Sequence, residues 1–130
     1  MNSVVHFEMP AKDSKRMSDF YSNTFGWQTR QLGAEMGNYV VATTAESDEH
    51  NRPKQGGAIN GGFYQRTEDP LSHAPSVVIA VDNLNDHIGK VTSAGGKIIG
   101  EPMEIPGIGM WVSFYDTEDN RVSMLQPNAM

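Results

Sequence analysis

The sequence predicts an α+β fold of two βαβββ modules, each forming a curved mixed sheet. A strand, a capped helix ending at glycine and a series of further strands occur from residue 4 and again from residue 76. One common offset superposes the halves and pairs His6 with Ser76 and Gly26 with Gly96. Because a lone module would leave one face of its sheet uncovered, we expect the modules to pair within a single domain, 1–130.

The first module is predicted over about residues 3–64. Val4–Met9 is a strand, and Asp13 or Ser14 can cap a helix that stops at the left-handed position of Gly26. The apolar stripe of this helix follows the i, i+3, i+4, i+7 pattern at Met17, Phe20, Tyr21 and Thr24. Further strands are predicted at 27–30, 38–44 and 56–64, with a polar surface loop at 46–54.

A linker at 65–75 leads to the second module, predicted over about 76–127. Residues 76–81 form a strand, and Asp82 or Asn83 can cap the next helix. Its apolar face is formed by Leu84, Ile88 and Val91, and Gly95-Gly96 ends it. Strands at 97–100, 110–115 and 121–126 complete the module. A hairpin turn at 116–120 has Asp119 at a position where the left-handed conformation is tolerated.

Composition excludes several classes of function. The chain has 130 residues, a formal charge of −6 and 10 Lys plus Arg, so it lacks the basic face that nucleic acid requires. It has no Cys and therefore no thiolate metal site or disulfide framework. No apolar run approaches the roughly 20 residues that span a bilayer, and the N-terminus lacks a signal-peptide pattern. We expect a cytoplasmic protein without membrane or nucleic-acid partners.

Three motifs carry a resemblance to a known family. The strand Val4–Pro10 contains His6, the first helix ends in Phe20-Tyr21-x-x-x-Phe25-Gly26-Trp27, and the closing turn is Asp116-x-x-x-Asn120. In this order and spacing the chain resembles the vicinal oxygen chelate superfamily, which includes glyoxalases, bleomycin-resistance proteins and extradiol dioxygenases. The resemblance covers residues 4 to 126. It implies a cleft between the two modules, often completed by a homodimer.

The resemblance also implies metal ligands on the first and fourth strands of each module in metal-dependent members. These positions fall on His6, within Asn60–Gly62, on Ser76 and on Ser123. Only His6 matches the family's ligands, because serine hydroxyls bind nickel, zinc or iron poorly unless deprotonated. Since catalytic metal sites commonly use about three protein ligands, we expect no metal cofactor.

A rearranged ligand set is the alternative. His6 and Glu8 are two residues apart, so both point to one face of a strand. With His73 they would imitate a two-histidine, one-carboxylate site for one divalent metal (Ni, Zn, Mn or Fe). The chain would then be a metal-dependent lyase, isomerase or dioxygenase.

Two glycine-containing segments bear on the site. The small residues of Gly56–Gly62 would let a ligand or another backbone approach the sheet closely. Pro106–Gly109 is predicted to be a flexible loop, and in the superfamily the matching loop often closes over the cleft. Trp111 is therefore a candidate lid or stacking residue; the equal alternative is an anchor in a dimer interface.

The leading hypothesis is a metal-independent protein of the glyoxalase/bleomycin-resistance type that binds a small hydrophobic or aromatic ligand, with a second copy as partner. A small-molecule pocket combines apolar walls with a few convergent polar groups. The candidate ligand-binding residues are His6, Glu8, Asn60, Ser76, Trp111 and Ser123. A third hypothesis is a non-catalytic accessory or regulatory module whose dimer surface is functional.

Overall fold

The computed structural model describes residues 1–128. These residues form two compact units. The first unit comprises residues 6–75, and the second comprises residues 1–5 and those from 76 onward. Each unit has its own hydrophobic core. None of the helices within residues 1–128 is both long and apolar enough to cross a membrane.

The first unit is built on a mixed four-stranded arrangement and one helix. In chain order its elements are β1 (Val4–Ala11, with His6 onward in this unit), α1 (Ser14–Phe25), β2 (Gln28–Gln31), β3 (Val40–Thr43) and β4 (Asn60–Gln65). The strands lie in the order β2-β3-β4-β1. β1 and β4 are parallel, whereas β2–β3 and β3–β4 are antiparallel.

Helix α1 begins and ends where the sequence predicts. The Asp13 carboxylate accepts a hydrogen bond from the Arg16 amide at 3.0 Å, and Gly26 ends the helix with φ 76°. Met17 and Tyr21 pack against a buried core formed by Ala11, Val40, Ala42 and Phe63. Phe20, predicted to belong to the same stripe, is 55% exposed, so only part of the stripe faces the core.

The second unit repeats the arrangement. Its elements are β5 (Ser76–Ala80), α2 (Leu84–Ser93), β6 (Lys97–Ile105), β7 (Gly109–Tyr115) and β8 (Arg121–Pro127), with strand order β5-β8-β7-β6. Asn83 caps α2, and the predicted face of this helix packs on the second core through Leu84, Ile88 and Val91. β5 and β8 are parallel and the other pairs antiparallel. The predicted α+β fold with two βαβββ modules is confirmed.

Two predicted strand boundaries are wrong. β4 begins at Asn60 rather than Gly56, because Gly57 has φ 89° and lies in a turn. β6 continues to Ile105 instead of stopping at Gly100. Its pairing with β7 shifts register between Ile99 and Met103, and Gly100 has φ 69°, so an irregularity replaces the expected strand end.

The hairpin turn between β7 and β8 agrees with the sequence. Asp119 has φ 63°, the left-handed conformation expected there. The Asp116 carboxylate accepts hydrogen bonds from the backbone amides of Glu118 and Asn120, both at 2.9 Å. These bonds close the turn, and side-chain and backbone donation from Asn120 and Glu118 lowers the pKa of Asp116.

Candidate functional site

The predicted site residues of the first unit lie on the face of β1 and β4 opposite α1. Side chains alternate along a strand, and Phe7, Met9 and Ala11 belong to the core on the helix side. His6 and Glu8 therefore project to the other side, in register with Asn60 and Gly62 respectively. We call this surface the polar face; it consists of His6, Glu8, Tyr39, Asn60 and Gly62.

The His6 ring is oriented by its register neighbour. Its Nδ1 atom lies 3.2 Å from the carbonyl oxygen of Asn60. A carbonyl oxygen only accepts hydrogen bonds, so Nδ1 carries the proton when the ring is neutral. Burial lowers the pKa of His6, and the Asn60 carbonyl only partly offsets this shift. The neutral ring then presents Nε2 with a lone pair.

Glu8 is the buried carboxylate of the polar face. It is 5% exposed, and one of its oxygens accepts a hydrogen bond from the Tyr39 hydroxyl at 3.0 Å. Burial and the neighbouring Glu8 carboxylate raise the pKa of Tyr39. The phenol therefore stays protonated and remains a hydrogen-bond donor to the carboxylate. Tyr39 is a member of the site that sequence analysis did not predict.

A tight turn and a glycine together place Tyr39 over β4. The 3-10 turn Ala34–Met36 is followed by Gly37 and Asn38 with φ values of 65° and 58°, which lead the chain back into β3. A β-carbon on Gly62 would overlap the Tyr39 ring and its hydroxyl. Gly62 thus permits the phenol to reach Glu8. The group that approaches Gly62 is a side chain, whereas at Gly61 the backbone carbonyl of Phe7 lies where a β-carbon would be, which agrees with the predicted close approach of another backbone.

Both the amide oxygen and the amide nitrogen of Asn60 form hydrogen bonds within the first unit. Its amide oxygen accepts from the Thr44 backbone N–H at 2.9 Å, and its amide nitrogen donates to Ser47 Oγ at 2.9 Å and to the Asn51 carbonyl at 3.3 Å. Asn60 is only 1% exposed. These hydrogen bonds connect the loop 44–59 to the start of β4. Asn60 therefore has a structural role in addition to the ligand-binding role predicted for it.

In the second unit the predicted residues lie on β5, β7 and β8. Ser123 Oγ lies 2.8 Å from Ser113 Oγ, and both residues are buried. Ser76 Oγ is buried and has no hydrogen-bond partner among residues 1–128. Trp111 lies within β7, in the strand predicted at 110–115, and is paired with Met103 on one side and Leu125 on the other. A lid function for Trp111 would require β7 to open.

The side chains present do not fit the metal site that the resemblance implies. Among the implied ligand positions, only His6 supplies an imidazole, and the remaining positions supply an amide, glycines and serine hydroxyls. At the fourth strand, Asn60 is committed to the loop, and a β-carbon at Gly61 or Gly62 would overlap neighbouring atoms. No group of three or more His, Cys, Asp or Glu residues within 1–128 is arranged to hold a metal ion.

The rearranged set with His73 does not form in this structure. His73 Nε2 lies 2.7 Å from the Thr67 carbonyl, and the residue is exposed in the short 3-10 turn Pro70–His73. Its ring therefore stabilises the predicted linker at 65–75. His6 and Glu8 do share one face, as their spacing predicts, but His73 does not complete a triad with them.

Comparison with known proteins agrees with the fold. The model of the glyoxalase/bleomycin resistance protein/dioxygenase superfamily matches residues 3–124. The chain belongs to this superfamily. It is 31% identical over 120 residues to a glyoxylase-like domain-containing protein of Didymella fabae, covering 90% of this chain and 88% of that protein.

Two further similarities are to a longer protein and to a solved structure of low sequence identity. CFP32 of Mycobacterium bovis, provisionally named a glyoxylase, is 34% identical over 77 residues, and the match spans 28% of its length. Methylmalonyl-CoA epimerase of Streptomyces coelicolor has a similar structure, with a TM-score of 0.70, 14% identity, and coverage of 100% of this chain and 97% of that one. At this identity the likeness shows the fold alone.

Proposed function

We propose that this superfamily member binds a small hydrophobic or aromatic molecule without a metal ion. The observation that carries the proposal is the Tyr39 phenol over Gly62, donating to Glu8. At the fourth strand, where the resemblance implies a carboxylate ligand in metal-dependent members, the space beside the backbone is filled by an aromatic ring. This arrangement supports a hydrogen-bonding role for the polar groups of the first unit.

Unsatisfied polar atoms support a binding function. Buried polar groups in native proteins nearly always have partners, and each exception calls for an explanation. Ser76 Oγ is buried without a hydrogen-bond partner among residues 1–128. Within residues 1–128, His6 makes a single hydrogen bond, through Nδ1, and its Nε2 remains an acceptor that is not fully buried. In the first unit, a bound small molecule would supply a donor to the His6 ring while its apolar part is removed from water.

The metal-independent part is tested by elemental mass spectrometry after incubation with nickel, zinc, manganese and ferrous iron. We expect substoichiometric metal in the wild type, in His6→Ala and in the control His73→Ala. His73 is a matched control because it is an exposed linker residue whose ring hydrogen-bonds the Thr67 carbonyl, away from His6 and Glu8. One metal ion per chain that is retained in His73→Ala but lost in His6→Ala would overturn this part of the proposal.

The binding part is tested by thermal unfolding with a panel of naphthalene derivatives. A ligand that binds only the native state must raise the unfolding temperature. We expect a concentration-dependent rise for at least one compound, and a complete absence of any rise at millimolar concentration would overturn the proposal. Light scattering on the same samples tests the proposed homodimer.

A further inference from the structure

The lone pair of His6 defines what the proposed ligand must present. The Nδ1···O contact of 3.2 Å with Asn60 is the only hydrogen bond that His6 makes among residues 1–128. The contact assigns the ring proton to Nδ1, because the carbonyl cannot donate. Nε2 is consequently an acceptor with no protein donor, on a partly buried residue.

The carbonyl that holds the ring is itself held in place. It belongs to Asn60, whose backbone lies in the parallel ladder with β1 and whose amide makes three hydrogen bonds to the loop 44–59. An acceptor that is oriented in advance loses little conformational freedom on binding. The ring is therefore positioned before any ligand arrives.

The neighbouring groups of the polar face do not supply a donor to His6. The Tyr39 hydroxyl donates to Glu8, and the Asn60 amide nitrogen donates to Ser47 and Asn51. Glu8 itself is a carboxylate 5% exposed, which favours partners that donate hydrogen bonds over partners that accept them.

From these contacts we infer that His6 Nε2 accepts a hydrogen bond from the ligand, which is therefore an apolar molecule carrying a hydroxyl or N–H donor. This inference rests on the proposed binding function and adds the chemical class of the ligand. His6 acts here as a recognition residue through a neutral ring, in the strand position that metal-dependent members use for coordination.

Two probes of nearly equal shape test the donor requirement: 2-naphthol, which can donate, and 2-methoxynaphthalene, which cannot. Affinities are measured by NMR titration of the wild type, His6→Phe and the control His73→Gln. We expect 2-naphthol to bind the wild type and His73→Gln about threefold to tenfold more tightly, the worth of one neutral hydrogen bond. The preference should vanish in His6→Phe.

The outcomes separate the two proposals. Equal affinities in the wild type, or a preference that persists in His6→Phe, would overturn the inference while leaving the binding function intact. Failure of both probes to bind, together with the absence of any thermal shift across the panel, would overturn both. If His6→Phe does not fold, long-range ¹H–¹⁵N correlation spectra of the wild type decide: an unprotonated Nε2 that shifts on addition of 2-naphthol supports the inference. A proton on Nε2, or no shift, overturns it.

Discussion

His6 and Asn60 face each other across the parallel strands β1 and β4, with the imidazole Nδ1 3.2 Å from the carbonyl oxygen. The same asparagine holds the loop 44–59 through its side chain. One residue thus connects the orientation of the imidazole with the attachment of the loop.

Replacing Asn60 with Ala should detach the loop 44–59. The substitution removes three hydrogen bonds and leaves the Thr44 amide without its acceptor, a loss of about 2–4 kcal/mol if each bond is worth about 1 kcal/mol. Hydrogen exchange measured by mass spectrometry should show faster exchange across 44–59. Asn85→Ala, at an exposed position of α2, is the control and should leave that exchange unchanged. Unaltered protection in Asn60→Ala would contradict the fastening role.

His6 should make the protein less stable below about pH 6.5. Burial lowers the pKa of His6 from the ordinary 6.5, so the unfolded chain binds more protons in the window between the two values. Stability from this residue is fully present above pH 6.5 and is lost as pH falls through the folded-state value. The slope cannot exceed about 1.4 kcal/mol per pH unit for one group.

The pH effect is measured by urea unfolding between pH 5 and 8. The unfolding free energy of the wild type minus that of His6→Phe should decrease as pH falls, because only the wild type has the titrating ring. Groups that titrate in both proteins cancel in this difference. If this value stays constant or increases as pH falls, the folded state does not disfavour the imidazolium.

Removing the Tyr39 hydroxyl should destabilise the fold more than removing another tyrosine hydroxyl. Tyr39→Phe takes a donor from the buried Glu8 carboxylate, and hydrogen bonds to charged groups are worth about 1.5–3 kcal/mol. The matched control is Tyr21→Phe, whose hydroxyl has the Met9 sulfur, at 3.9 Å, as its one hydrogen-bond partner within residues 1–128. Equal unfolding free energies for the two variants would show that the Tyr39–Glu8 contact contributes nothing to stability.

A β-carbon at position 62 should be tolerated only when Tyr39 is absent. Gly62→Ala should cost about 2–4 kcal/mol, because the new methyl group overlaps the phenol ring and forces a shift in a buried region. The cost should fall in a Tyr39→Ala background, and the double-mutant cycle measures that coupling. Gly56→Ala is the control: no atom lies within 4 Å of its added β-carbon. Additive costs would contradict the overlap.

The helices and the hairpin turn could be predicted from the sequence because the residues that begin and end them act locally. Asp13, Asn83 and Gly26 act at helix ends through contacts a few residues away. The same holds for Asp119 in its hairpin turn. The start of β4 cannot be located from the sequence, because the glycines before it carry no side chain whose alternation could mark a strand.

The Tyr39–Glu8 contact could not be predicted because it depends on the register of three strands. Glu8 lies opposite Gly62 in one pairing, and Gly62 lies opposite Val41 in the next. A slip by one residue in either pairing would send the phenol elsewhere. The available signal was the pair Gly61-Gly62 itself, since consecutive glycines in a strand indicate that bulky groups approach closely.

The overlap between Tyr39 and position 62 makes the order of evolutionary change matter. A glutamate at position 62 would need the space that the phenol fills, so it is unfavourable while Tyr39 is present. Loss of Tyr39 first would take a donor from Glu8 before any new side chain compensates. A change to glutamate at position 62 therefore passes through a destabilised intermediate whichever of the two substitutions comes first. Such epistasis makes the present pair of residues resistant to stepwise replacement.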